Sequence, residues 1–213
     1  MTYVEQRAAV VAAGARLAAA GLVVGGAGNI SVRVEDRLVM TARGSRLAAL
    51  RPEELLVTDL DGRVLEGGGR ASSETPLHCA AYAETGAAAV VHTHPRFCSV
   101  VSTLVSEIDG IHYAVALFGG SVRVAGYATF GSPELAANVA AALRGRRGAL
   151  MRNHGAVTVG DDLEGAVELT ETLEWLAFVH YHAHLAGTPS VLSPHDIEQV
   201  QGQRAALDGR ERA

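Results

Sequence analysis

Apolar residues recur along the chain with two different periods. Over residues 3–20 they fall at helical spacing and Gly21 closes the run, which predicts an amphipathic helix. The next segments change period. "NISVRV" and "RLVMTA" are β-rich runs joined through Glu35 and Asp36, which predicts a hairpin. "ELLVTDLDGRVLEG" repeats that pattern with Asp61-Gly62 at the turn. "SSETPLHCAAYAET" opens a helix, with Ser73 as its expected cap and Pro76 in the first turn. "AAVVHTH" predicts a strand, "RFCSVVSTLV" a helix and "SVRVAGY" a strand. "GSPELAANVAAALRG" predicts a helix capped by Ser132 with Pro133 at its first position. "GALMRNHGAVTVG" holds one or two strands, and helices follow over 162–186 and 194–206. Hairpins precede the crossovers. The expected fold is therefore α/β, a mixed, largely antiparallel sheet with helices on both faces. No repeat or linker divides the chain, so residues 1–213 read as a single domain.

Composition narrows the function classes. Hydrophobic residues make up 48% of the 213, enough for a packed core. The net charge is −5 and no basic block occurs, which argues against nucleic acid and anionic membrane as partners. No apolar run is long enough to span a bilayer. Glu5, Arg7 and Arg16 interrupt the apolar N-terminal stretch, so it reads as a helix and not as a signal. Two cysteines, Cys79 and Cys98, make no disulfide framework, and a cytoplasmic protein is expected. All 18 basic residues are arginine. The absence of lysine excludes Schiff-base catalysis, pyridoxal phosphate and the P-loop. Any carbonyl chemistry needs another electrophile.

A metal ion is the available one. In "AVVHTHPRFC" His92 and His94 are two apart on a predicted strand, so both project to one face. Imidazoles at this spacing favour zinc or another first-row divalent metal. "MRNHGAVTV" supplies His154 beside a glycine that permits close backbone approach. Three histidines with an open position describe a catalytic zinc site, and Glu74 is the candidate carboxylate. "HYHAH" is the rival cluster. His180 and His184 share a helical face, and a surface or interface role is expected there. His78 and His112 read as structural or supporting, and His195 as a helix-start residue.

Three segments suit an anion. "GGAGNIS" gathers backbone N–H groups but lacks the dinucleotide fingerprint and runs from helix to strand. "SSE" adds two hydroxyls at a helix start, and "TARGS" adds Thr41, Arg43 and Gly44. Together they suggest a phosphate pocket.

The order G-N-I-S, T-x-x-G, S-S-E, H-x-H, H-Y, Y-A-T-F-G, N-H-G resembles the class II aldolase/adducin family over about residues 5–195, and within it the bacterial L-fuculose-1-phosphate aldolases. The resemblance implies a three-layer α/β/α sandwich and a homotetramer with active sites between subunits. It also implies zinc-dependent cleavage of a ketose 1-phosphate, a small sugar phosphate, to dihydroxyacetone phosphate and a short aldehyde. By motif, His92, His94 and His154 would hold the zinc. Glu74 would be a displaceable fourth ligand and the acid/base. Asn29, Gly44, Ser72 and Ser73 would hold the phosphate. Tyr113, lent by a neighbouring subunit, would transfer a proton, and Phe130 would shape the site.

Two positions depart from the pattern. "TARG" stands where the family has T-P-[ST]-G, so Arg43 replaces a small hydroxyl residue and is a candidate phosphate contact. The tail has Leu207 near a position where fuculose enzymes carry a tyrosine that selects the aldehyde. Fuculose, rhamnulose, ribulose and 5-deoxyribulose phosphates all fit this reading. A decarboxylase or dehydratase of the same family and a non-catalytic adducin-like module are the alternatives. "SSE" without a nearby lysine favours the aldolase, and the complete histidine set disfavours the module.

Overall fold

The computed structural model describes residues 3–211. Fifteen regular elements form, and all but one short strand follow the expected order. They are α1 (Val4–Ala19), β1 (Asn29–Val34), β2 (Arg37–Thr41), β3 (Leu55–Asp59), β4 (Val64–Glu66), α2 (Thr75–Thr85), β5 (Ala89–Thr93) and α3 (Arg96–Leu104). Then come β6 (Glu107–Ile108), β7 (Val122–Ala125), α4 (Pro133–Leu143), β8 (Gly148–Met151), β9 (Gly155–Gly160), α5 (Leu163–Ala186) and α6 (Pro194–Glu211). The two-residue β6 and a 3-10 turn over Tyr113–Phe118 carry too little periodicity to be read from sequence.

The strands form one sheet in the order β4-β3-β2-β1-β5-β9-β8-β7-β6. Every pairing is antiparallel except β7 with β8. Both predicted hairpins form, and "GALMRNHGAVTVG" folds as a third, β8–β9, with Arg152, Asn153 and His154 in its turn.

Strand alternation divides the core between two faces. Leu38, Val90, Ala149, Met151 and Val157 pack against α2 and α4. Ile30, Val39, Ala89 and Val91 pack against α1 and the start of α5, while Leu150 and Ala156 meet α3, α5 and α6. The result is a three-layer sandwich, helices over helices with the sheet between.

Some capping expectations change. Ser132 caps α4 as predicted, accepting the Leu135 N–H at 3.1 Å. Ser73 does not cap α2: Glu74 occupies that position without a side-chain cap, and Ser72 Oγ accepts the Glu74 N–H at 3.2 Å. The start of α3 is closed from a distance, because the α5 carboxylate of Glu174 accepts the Phe97 and Cys98 N–H groups, each at 2.9 Å. No helix among the described residues is long and apolar enough to cross a membrane.

Candidate active site and metal centre

β1 and β5 pair so that Asn29 lies opposite His92. By alternation Asn29, Ser31 and His92 all face α2, the side that buries Val90. The first turn of α2 points at this end of the sheet and brings Glu74 to His92. β5 ends at Thr93, so His94 lies just beyond the strand, whereas the sequence pattern puts it within the strand. The turn of the β8–β9 hairpin then supplies His154. Its close approach depends on Gly155: a Cβ there would lie 2.4 Å from the Thr93 carbonyl oxygen. Asn153 takes the left-handed conformation (φ 55°) needed to reverse the chain before His154.

Glu74, His92, His94 and His154 each offer a ligand atom, and these atoms lie within 4.8 Å of one another. His92 Nδ1 donates to the Ala156 carbonyl at 2.8 Å, which leaves Nε2 with its lone pair directed into the cluster. That nitrogen is 3.0 Å from Glu74 Oε2 and 3.0 Å from His94 Nε2. His154 Nε2 is 3.4 Å from Glu74 Oε1, which is buried and has no hydrogen-bond partner. Acceptors this close repel unless a cation lies among them. A tetrahedral ion with ligands at ~2.0–2.1 Å separates its donors by roughly 3.3 Å. The three imidazoles and one carboxylate therefore fit a first-row divalent ion.

Electrostatics keep these groups in ligating form. Burial pushes Glu74 up, but its contacts with His92, the Asn29 amide and His154 outweigh it, and the carboxyl is held well below its usual range. Burial, then the proximity of His92 and His154, lowers His94 to about 4. His154 is lowered too, first by burial and then by His92. Neutral imidazoles and an ionised carboxylate are what a metal requires.

A cavity of about 420 Å³ opens above this floor. Asn29, Arg43, Gly44, Ser72 and Ser73 line it together with Tyr127, Ala128 and Phe130. Gly131 (φ +75°) seats the aromatic loop against Ser73, where a Cβ would lie 2.7 Å from the Ser73 carbonyl oxygen. Arg43 stands exposed at the mouth, and its guanidinium has no polar partner among the described residues. Tyr113 is elsewhere. It is 58% exposed, its ring lies 4.3 Å from that of His112, and it does not line this cavity.

The "HYHAH" histidines do not form one cluster: His180 and His184 share a helical face as expected, with ring centroids 4.2 Å apart, while His182 lies on another face. His180 turns inward and is buried, with Nδ1 3.9 Å from Asp109 Oδ1, contrary to the expected surface role. His182 packs on Phe97 and Phe178. Sequence reading passed over Ser31 and Tyr82, and gave His78 only a general supporting role. All three are buried around Asn29. Their signal was the four-residue spacing of Glu74, His78 and Tyr82 on one helical face.

Comparison with known proteins gives one answer. The family model described as the class II aldolase and adducin N-terminal domain matches residues 8–181. The chain is 37% identical over 182 residues to the 5-methylthioribulose-1-phosphate/5-deoxyribulose-1-phosphate aldolase of Rhodospirillum rubrum, covering 84% of this chain and 82% of that protein. It is 39% identical over 183 residues to the L-fuculose phosphate aldolase of Escherichia coli K12, covering 84% and 85%. A solved L-fuculose 1-phosphate aldolase superposes with a TM-score of 0.93 at 30% identity, covering 96% of this chain and 98% of that one.

Proposed function

The chain belongs to the class II aldolase and adducin family, and from that premise we propose that it is a metal-dependent aldehyde-lyase cleaving a ketose 1-phosphate to dihydroxyacetone phosphate and a short aldehyde. The observation that carries this reading is the gathering of Glu74, His92, His94 and His154 beneath a cavity rimmed by Asn29, Gly44, Ser72 and Ser73. Zinc is the proposed ion, held by the three histidines and, at rest, by Glu74. Bound there, it supplies Lewis-acid stabilisation for the negative charge that cleavage leaves on the ketose half.

The protein's own groups do the rest. Asn29, Gly44, Ser72 and Ser73 grip the phosphate, and Arg43 at the mouth adds charge to that grip. Anchoring the phosphate turns binding energy into orientation of the bond that breaks. The electrons of that bond, between the third and fourth carbons, stay on the ketose half. Tyr113 relays the proton of the leaving-side hydroxyl to solvent, and Glu74, once moved aside by substrate, takes up a proton from solvent and delivers it to the ketose carbon, so one proton leaves and one arrives.

Because Tyr113 does not line its own chain's cavity, we assign its role to the copy on a neighbouring chain, in a homotetramer with sites between subunits. Exposure of Tyr113, Tyr127, Phe130 and Trp175 supports such an arrangement. Residues 1–213 act as a single domain. A cytoplasmic location is supported by the free thiols of Cys79 and Cys98.

The aromatic and apolar wall of Tyr127, Ala128 and Phe130 suits an aldehyde with an apolar end. Deoxyketose phosphates such as fuculose 1-phosphate or 5-deoxyribulose 1-phosphate are therefore the proposed substrates. Steady-state cleavage of a panel of ketose 1-phosphates with zinc supplied tests this. Release of dihydroxyacetone phosphate from deoxyketose substrates is expected, and no release from any ketose phosphate would defeat the reading.

A further inference from the structure

Ser31, His78 and Tyr82 form a buried polar line behind Asn29 that the aldolase reading does not use. Every proton along it can be assigned. Glu74 is ionised and only accepts, so Asn29 presents Nδ2 to Glu74 Oε2 at 3.0 Å. Its Oδ1 then faces His78 Nε2 at 2.5 Å. That oxygen accepts only, so Nε2 is the protonated nitrogen of His78. Nδ1 is left as an acceptor and takes the Ser31 hydroxyl at 2.7 Å. Ser31 Oγ in turn accepts from the Tyr82 hydroxyl at 2.8 Å. All donors point towards Glu74. Turning the Asn29 amide over would set its oxygen against a carboxylate and oblige His78 to move its proton. The chain thus has one orientation.

That orientation matters because Asn29 Nδ2 has a second N–H. It lies 3.5 Å from Ser72 Oγ, on the phosphate side of the cavity. We propose that His78 is a positioning residue that locks the Asn29 amide with its NH2 in the cavity, so that one nitrogen serves both Glu74 and the substrate phosphate. The consequence is a coupling. An anion that takes this second N–H pulls the shared nitrogen towards Ser72 and lengthens its bond to Glu74, so phosphate binding loosens the carboxylate that must move. Ser31 and Tyr82 hold the His78 tautomer. The inference rests on the phosphate role proposed for Asn29, Ser72 and Ser73.

Calorimetric titration of inorganic phosphate into the zinc-loaded enzyme tests it. His78→Met removes the donor at similar volume and is expected to weaken phosphate binding about tenfold, about 1.4 kcal/mol. His78→Gln places an amide donor near the same point and is expected to recover most of that loss. The Michaelis constant for a ketose 1-phosphate should rise in His78→Met while that for its unphosphorylated analogue does not, a split that loss of packing alone does not produce. Ser31→Ala should give a smaller loss of the same sign, and it decides the matter if His78→Met fails to fold. Equal weakening by Met and Gln, or unchanged phosphate affinity in Ser31→Ala and His78→Met, overturns the inference. Ser73→Ala separates the two levels. If it weakens phosphate binding while the His78 variants do not, the pocket stands and the positioning role falls. If none of them does, the phosphate reading falls, and this inference with it.

Discussion

β1 and β5 present two unlike faces to the helices that cover them. Towards α1 and α5 they show Ile30, Ala89 and Val91, packed with Val10 and Leu17, and the buried hydroxyls of Thr158 and Thr170 on that side bond to each other and to the Ala166 carbonyl. Towards α2 the same strands show Asn29, Ser31 and His92, which meet Glu74, His78 and Tyr82. Both faces are equally buried. The apolar one gains stability from area removed from water and tolerates swaps that keep volume. The polar one takes costly groups out of water, and each hydrogen bond roughly returns what desolvation removes. Its worth lies in orientation. One face makes the sheet stable, and the other uses that rigidity to aim donors.

Substitutions on the two faces should therefore fail differently. The largest effect is expected at His94, at the open end of the polar face. His94→Ala should abolish tight zinc binding and with it cleavage, measured by calorimetry and assay, while the protein stays folded. Full metal occupancy in that variant would remove His94 from the ligand set.

Tyr113 belongs to neither face and should affect neither stability nor metal content. Tyr113→Phe should lower cleavage by about 10²–10⁴. Proton exchange on dihydroxyacetone phosphate, which the proposal leaves to Glu74 and the metal, should persist. Loss of both together would deny Tyr113 a separate role.

On the apolar face Leu17→Ala should cost about 2–5 kcal/mol in urea unfolding. Zinc affinity and the Michaelis constant should not move. A change in either would mean that the two faces are not independent.

The faces should also differ in pH response. Burial above all lowers His78 from its ordinary 6.5 to about 3. Below about 6.5 the unfolded chain binds a proton that the folded one refuses. Stability of the metal-free protein must therefore fall as pH drops from 6.5 towards 3. Between pH 7 and 5 the loss traceable to His78 is of order 2 kcal/mol. His78→Gln should flatten this slope, whereas Leu17→Ala should lower stability at both pH values alike. An unchanged slope in His78→Gln would assign the titration to other groups.

The smallest effect is the phosphate grip. Ser73→Ala should raise the Michaelis constant roughly tenfold for a ketose 1-phosphate, about the value of one hydrogen bond to a charge, and leave that of the unphosphorylated analogue alone. Equal changes for both would move the anion site elsewhere.

Element order, both N-terminal hairpins and the mixed sheet were legible in the sequence, because period and turn residues are local. So were the residue types at the site. Local pattern misled at several points, His180 among them, buried where a surface role is expected. Ser73 looked like a cap, yet Ser72 takes the Glu74 N–H. His94 was read as part of the strand, yet β5 stops at Thr93.

By itself the sequence determined that a lysine-free chain with H-x-H, S-S-E and N-H-G would turn to a metal for electrophilic chemistry, since those residue types leave few other options. Tertiary structure alone decided that His92 and His154, 62 positions apart, share one cluster, because strand register and the β8–β9 turn set that distance. It also decided which way the Asn29 amide faces. A side-chain amide carries a donor and an acceptor on one carbon, and only the neighbours that folding assembles, an acceptor at Glu74 and a donor at His78, tell them apart.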